Sequence, residues 1–314
     1  LSAYLNIKGD YYSPVIAGIP FNIIITAFIL LSLNFGLFFL PLGIIFALLF
    51  QLIFITVFSK KKGFTYKFYF CLNDPNIRKI ISLSLPVIIG VSVNQINVLV
   101  DRTIASTLVV GGISALNYSN KLITFIQGII VTPVSTVIYP AITQMAAYNE
   151  TSELKRVLRE CMLGINILII PITVGAIVLA SPLVNFVFGR GAFDEQANVL
   201  TSAALKYYSI GMLGFGLREV LSRVFYSMQD TKTPMINAAI GVIINIILNL
   251  TLSRFLGIGG LALATSISAI TMTILMVISL RGKIGPYGMR QISKTFVKII
   301  FASLLMALIV KLIF

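Results

Sequence analysis

The sequence predicts an all-α bundle of membrane-spanning helices, and three observations carry that prediction. Of 314 residues, 58% are hydrophobic and 11% charged, with a mean hydropathy of +0.99; soluble domains are nearer a quarter charged. Apolar runs of roughly 20 residues recur, the length a helix needs to cross the hydrocarbon core, whereas a membrane barrel would show alternating segments of about ten. The basic residues gather in every second connection, as the positive-inside rule requires of a polytopic protein.

Nine segments are predicted, at 14–33, 40–58, 80–108, 113–141, 157–180, 197–227, 234–254, 258–280 and 294–314. One set of connections carries Lys60, Lys61, Lys62, Lys67, Arg78 and Lys79, then Lys155, Arg156 and Arg159, then Lys232, then Arg281, Lys283, Arg290 and Lys294. The other set (34–39, 109–112, 181–196 and 254–258) carries only Arg190 and Arg254. Connections 59–79, 142–156, 228–233 and 281–293 are therefore expected on the cytoplasmic side of the membrane. The net charge of +14 then reports topology rather than nucleic-acid binding, for which no basic-aromatic module is present. Residues 59–79 read either as a linker lying on an anionic leaflet or as a solvated loop.

Cys71 and Cys161 have no metal-site spacing and fall on the same reducing side, so no disulfide is expected. The absence of histidine excludes imidazole catalysis and His-ligated metal. No P-loop, dinucleotide glycine motif or nucleophile–base pair occurs, so no enzyme is expected.

An internal repeat organises the chain. Residues 4–33 and 226–252 both show an aromatic, then D-x-x-x-P (Asp10 and Pro14; Asp230 and Pro234), then an apolar helix bearing Asn. Proline is well tolerated early in a helix. The second copy is preceded by four segments and the first by none, so the chain is expected to start at the fifth helix of a first six-helix lobe. On that reading 1–58 ends the first lobe, 59–79 links, 80–281 is a complete second lobe, and 282–314 is a loop with one extra helix. Two related lobes around a central site are a recurrent transporter plan.

Polar groups inside the apolar segments mark the candidate site, because ionisable residues at membrane depth face cavities or partners. Asn94, Asn97 and Asp101 share one helix face, at i, i+3 and i+7. With Asn245, Asn249, Thr265, Ser266 and Ser268 they offer hard oxygen ligands suited to a monovalent cation, most simply Na⁺, and unsuited to zinc or copper. The alternatives are a structural polar cluster, a proton-carrying Asp101, and an Asp101–Arg102 pair. Asn120 and Lys121 lie about two turns into the next segment, with Thr124 one turn on; a lysine there meets an external anion such as phosphate or snorkels outward. Arg218, Glu219 and Arg223 form either a neutralised pair or a cytoplasmic gate. Phe188-Gly-Arg190-Gly-Ala-Phe193 makes a tight external turn whose function the sequence leaves open.

Taken in order, Asn94–Asn97 (NQIN), Asp101–Ser106 (DRTIAS), Ala115–Leu122 (ALNYSNKL), Val137–Pro140 (VIYP), Phe188–Phe193 (FGRGAF) and Phe225–Pro234 (FYSMQDTKTP) resemble the MurJ (MviN) family of lipid II flippases. That family lies within the multidrug/oligosaccharidyl-lipid/polysaccharide (MOP) exporter superfamily. The resemblance runs over essentially the whole chain. It implies the two-lobe MOP-exporter fold with two further C-terminal helices, of which this chain would lack the first four helices and the last. It implies transport of the undecaprenyl-pyrophosphate-linked peptidoglycan precursor from inner to outer leaflet by alternating access, coupled to Na⁺ or to the membrane potential. It places Lys121 where the family usually has arginine, which keeps the charge but loses the bidentate fork. It implies a Na⁺ site at Asp101, Asn245, Asn249, the Leu261 carbonyl and Thr265. Membrane lipids and cell-wall synthesis machinery are the other partners implied. A polysaccharide-lipid or drug exporter of the same superfamily, and a cell-wall scaffold without transport, remain the competing readings.

Overall fold

The computed structural model describes residues 1–66, 75–148 and 151–313. Thirteen α-helices occupy them: α1 (Ser2–Ile7), α2 (Tyr12–Ile16), α3 (Gly18–Phe35), α4 (Phe39–Lys61), α5 (Pro75–Leu108), α6 (Gly112–Ala147), α7 (Thr151–Val178), α8 (Ala180–Phe188), α9 (Glu195–Ile210), α10 (Met212–Ser227), α11 (Lys232–Leu256), α12 (Ile258–Ile284) and α13 (Met289–Ile313). No strand occurs among the described residues. The chain divides into two compact units, Leu1–Leu72 and Asn73–Phe314. Cys71 lies outside the described residues; Cys161 is buried and free.

In the first unit α3 packs against α4, with Phe28 stacked on Phe46 at 5.6 Å and tilted against Phe39 at 6.4 Å. The second unit is a helix bundle in which α12 packs against α9, α10 and α11, α5 lies on α11, and α13 lies on α7. Its core is aliphatic: Leu158, Met162, Ile165, Ile169, Leu205, Leu221, Leu261 and Met276 are all essentially inaccessible. Between helices the chain uses hydroxyls on carbonyls, as membrane bundles do when no water is present to satisfy them. Ser119 donates to Thr201 O at 2.8 Å, Thr273 to Gly214 O at 2.8 Å, and Ser268 to Gly241 O.

Eight helices, counting α2 and α3 as one span, are long and apolar enough to cross a membrane; the ninth predicted segment is not one of them. Segment 197–227 is broken at Gly211 into α9 and α10, each of 16 residues. The cause is the approach of α12. Ser266 Oγ donates to the carbonyls of Tyr207 (2.6 Å) and Tyr208 (3.2 Å), and Gly211 N–H closes a tight turn to Tyr208 O at 3.0 Å. A side chain entering the hydrogen-bond ladder is a recognised cause of a helix break.

Other boundaries also shift. Segment 14–33 is α2 and α3, interrupted at Ala17, and Ser2–Ile7 forms a helix where none was expected. Connection 181–196 is helical through Phe188, because α8 fills its first half. Connection 142–156 is mostly helix too, since α6 runs to Ala147 and α7 starts at Thr151. Of 59–79, residues 67–74 lie outside the described residues.

The two D-x-x-x-P segments share one turn, residue for residue. Asp10 N–H bonds Leu5 O at 2.9 Å and Asp230 N–H bonds Phe225 O at 2.9 Å; Gly9 and Gln229 occupy the same position at φ +77° and +57°. Asp10 accepts from Ser13 N, and Asp230 from Thr233 N, both at 3.0 Å. A helix end with a left-handed residue runs into a helix start capped by an aspartate. Gln229 is the one non-glycine residue at positive φ among those described. The Ser13 N–H and hydroxyl hold the Asp10 carboxyl below its ordinary value. For Asp230, burial alone would raise it, but Lys283 (2.5 Å) and Thr233 outweigh burial and hold it low.

A methyl added at Gly211 would sit 2.6 Å from Ser266 Cα, whereas at Gly282 it meets nothing within 4 Å. Gly211→Ala is therefore expected to cost about 1–3 kcal/mol of stability through overpacking, and Gly282→Ala to cost nothing, as read by thermal unfolding of the purified protein in detergent.

Candidate functional site

A cavity of about 630 Å³ opens within the second unit between α5, α6, α10, α11 and α12. Helix α5 supplies Asn94, Asn97, Asp101 and Arg102; α6 supplies Asn117, Asn120, Thr124 and Gln127; α10 supplies Arg218, Glu219 and Arg223; α11 and α12 supply Asn237, Asn245 and Thr265. Residues spaced three, four and seven apart project from one side of a helix, so each helix delivers a polar stripe to the cavity while its remaining faces stay apolar.

At one wall the predicted cation ligands meet. Asp101 is 8% exposed, Asn245 1% and Asn249 0%. Asn249 Nδ2 donates to Asp101 Oδ1 at 2.6 Å, bridging α11 to α5. Asn249 and Asn245 touch at 2.6 Å, and Asn245 lies 3.1 Å from Thr265 Oγ1 on α12. Thr265 in turn donates to Leu261 O at 3.0 Å. Turned end for end, the Asn245 amide places its nitrogen 2.8 Å from Asn97 Oδ1 and 3.2 Å from Asp101 Oδ1, with its oxygen accepting from Thr265 N and Oγ1. Neither orientation satisfies the cluster. In the first, Asn249 Oδ1 is buried without a hydrogen-bond partner; in the second, two amide nitrogens face each other at 2.6 Å. Asp101 engages Asn249, and no Asp101–Arg102 ion pair forms among the described residues.

The anion-facing residues lie beside it. Arg102, Asn117, Asn120, Lys121, Thr124 and Phe125 line a second, smaller-walled recess, and Arg102, Asn117, Asn120 and Thr124 also line the main cavity. Asn120, Lys121 and Thr124 are exposed on one face of α6. Lys121 Nζ sits 5.7 Å from the Tyr118 ring centroid and has no carboxylate partner among the described residues. The sequence missed Arg102 as a wall residue, although its place next to Asp101 on α5 was the available signal. It also missed Asn237, whose buried Nδ2 is unpartnered at the cavity wall.

The third group divides. Arg223 pairs with Glu219 at 3.0 Å, and Ser135 Oγ lies 3.2 Å from the same carboxylate oxygen. Arg223 also lies 5.8 Å from the Tyr139 ring. Arg218 points instead to Met272 Sδ at 3.6 Å. The main cavity wall thus holds Arg102, Arg218 and Arg223 against Asp101 and Glu219, and Lys121 adds a further positive charge in the adjoining recess.

The profile of the family "Lipid II flippase MurJ" matches residues 1–314. The chain belongs to the MurJ family. A probable lipid II flippase MurJ of Vibrio cholerae is 37% identical over 230 residues, covering 73% of this chain and 44% of that protein. One from Haemophilus influenzae is 33% identical over 273 residues, covering 85% and 53%. The chain spans about half the length of the curated MurJ relatives it matches. A solved structure of lipid II flippase MurJ in an inward closed conformation aligns at TM-score 0.78 and 26% identity, over 99% of this chain and 63% of that one. The Vibrio cholerae MATE transporter VcmN aligns at TM-score 0.68 and 13% identity, over 89% and 65%, which extends the likeness of fold to the MOP superfamily. As a MurJ family member with eight candidate spans, the chain is a multi-pass membrane protein.

Asn249→Ala removes the amide that reaches Asp101 and is expected to lower stability by about 1–3 kcal/mol, the cost of leaving a buried polar partner unpaired. Thr251→Ala, on the exposed face of the same helix, is expected to leave the thermal unfolding midpoint unchanged.

Proposed function

We propose that this chain works as part of a flippase that carries the undecaprenyl-pyrophosphate-linked peptidoglycan precursor, lipid II, from the inner to the outer leaflet. The observation that carries this reading is Lys121 beside Arg102, two cations open to a polar recess and without carboxylate partners, in a chain of the MurJ family. Cations at membrane depth need an anion or water, and a pyrophosphate supplies the anion. Lys121 and Arg102 attract its oxygens, Asn120 and Thr124 offer hydrogen bonds, and the polyprenyl tail stays in lipid along the α13 side. Alternating access moves the headgroup, with Arg218, Glu219 and Arg223 acting as a cytoplasmic gate. Connections 59–79, 142–156, 228–233 and 281–293 face the cytoplasm, where cell-wall synthesis machinery delivers the substrate.

The Asp101 cluster fits a Na⁺ ion. When bound, the ion supplies the positive charge toward which Asp101 Oδ1, both amide oxygens, the Leu261 carbonyl and Thr265 Oγ1 can turn. The unpartnered Asn249 Oδ1 supports that fit, and oxygen donors suit a hard cation. Asp101, Asn249 and Thr265 stand on three different helices, so ligation there holds α5, α11 and α12 together.

In the full-length protein in vesicles carrying labelled lipid II, Lys121→Ala is expected to lower translocation at least tenfold while Lys121→Arg retains most of it; unchanged translocation in the alanine variant would sink the phosphate role. Asp101→Asn is expected to abolish any dependence of translocation and of thermal stability on Na⁺ over K⁺. A variant that kept its Na⁺ response would remove the ion from this site.

A further inference from the structure

We propose that Tyr118 is a positioning residue for Lys121, and that the external turn Phe188–Phe193 braces Tyr118 in that role. The proposal rests on reading Lys121 as the cation that meets the substrate's phosphate. Tyr118 and Lys121 stand at i and i+3 on α6, where helical side chains are neighbours. Lys121 Nζ lies 5.7 Å from the Tyr118 ring centroid, inside the range in which a ring face attracts a cation. The ring itself is held on its other sides. Phe188 lies 4.8 Å from it, tilted by 44°, and Phe193 lies 5.7 Å away, edge-on at 75°. Phe188 and Phe193 are 6.0 Å apart, so the three rings close a triangle.

The turn that carries those phenylalanines is built to one shape. A methyl on Gly189 would strike Asn185 O at 2.4 Å, and Gly191 has φ +62°. Phe193 N–H bonds Arg190 O at 3.3 Å, and Asp194 caps α9 by accepting from Ala197 N at 2.7 Å. Both phenylalanines pack against the bundle core, so α8 and α9 fix the rings from opposite ends of the turn.

Lysine has a flexible four-carbon stem with a point charge at its tip. Left alone at the edge of a recess, it would spread over many rotamers or snorkel outward. The Tyr118 ring gives the ammonium one preferred place, beside Asn120 and Thr124. The Phe-Gly-Arg-Gly-Ala-Phe turn is thereby connected to the recess without touching it: the turn holds a ring, and the ring holds the charge.

The test uses the full-length protein in nanodiscs with its lysines reductively ¹³C-dimethylated, the Lys121 signal being assigned by its loss in Lys121→Arg. Lys121 is expected to show an upfield ring-current shift that Tyr118→Phe keeps, Tyr118→Leu loses and Phe193→Leu reduces. Binding of undecaprenyl pyrophosphate is expected to weaken about two- to fivefold in Tyr118→Leu, the size of an exposed cation–π contact, and to stay unchanged in Tyr118→Phe. A Lys121 shift that survives Tyr118→Leu, or that Tyr118→Phe loses equally, overturns the proposal. Phe193→Leu keeps the tyrosine itself while removing one of the rings that hold it, and decides the bracing role even where Tyr118→Leu fails to fold: an unmoved Lys121 signal there removes the turn from it. If Lys121→Ala leaves undecaprenyl pyrophosphate binding intact, the phosphate reading fails, while the ring-current result still judges the positioning on its own.

Discussion

One carboxylate governs the arrangement of the second unit. Asp101 is buried without an ion-pair partner among the described residues, and an acidic group at a helix centre costs about 2.5–3.5 kcal/mol on insertion scales. Asn249 meets it from α11, Asn245 stands one turn away, and Thr265 continues the network onto α12. Those contacts require α5, α11 and α12 to stand at one relative height. The cavity follows from the same requirement, because the polar stripes of these helices are brought to one side of the bundle and the apolar faces are left to lipid.

The helix break at Gly211 has a related origin. Membrane helices gain nothing from hiding apolar surface from lipid tails, so close packing and hydroxyl-to-carbonyl bonds hold them. Ser266 approaches α9 closely enough to take two of its carbonyls, and only glycine at position 211 leaves room for that approach. The break separates α10, which carries Glu219 and Arg223, from α9. The charged residues of α10, Arg218, Glu219 and Arg223, line the cavity.

The shared turn of the two D-x-x-x-P segments shows how local chemistry can repeat in different surroundings. In one copy glycine occupies the left-handed position; in the other Gln229 does, at a backbone conformation that side chains rarely adopt. The second copy has a buried aromatic beneath it, Phe225, and an ion pair across it, Asp230–Lys283.

The sequence alone determined the class of fold, most of the membrane spans and the identity of the cation-site candidates, because bilayer insertion depends on length and hydropathy and because Asn94, Asn97 and Asp101 share a face by helical period. It also supplied Lys121, Asn120 and Thr124, whose cost at membrane depth is visible without coordinates. Tertiary structure decided the rest. Helix ends in the loops moved because apolar content does not mark where a polar stretch stays helical, as at α8 and the start of α7. The break at Gly211 needed Ser266, which lies 55 residues further on. That Asp101 turns to Asn249 rather than Arg102, and that Phe188 and Phe193 reach back to Tyr118, are contacts between distant parts of the chain, and periodicity along one helix carries no information about its neighbour.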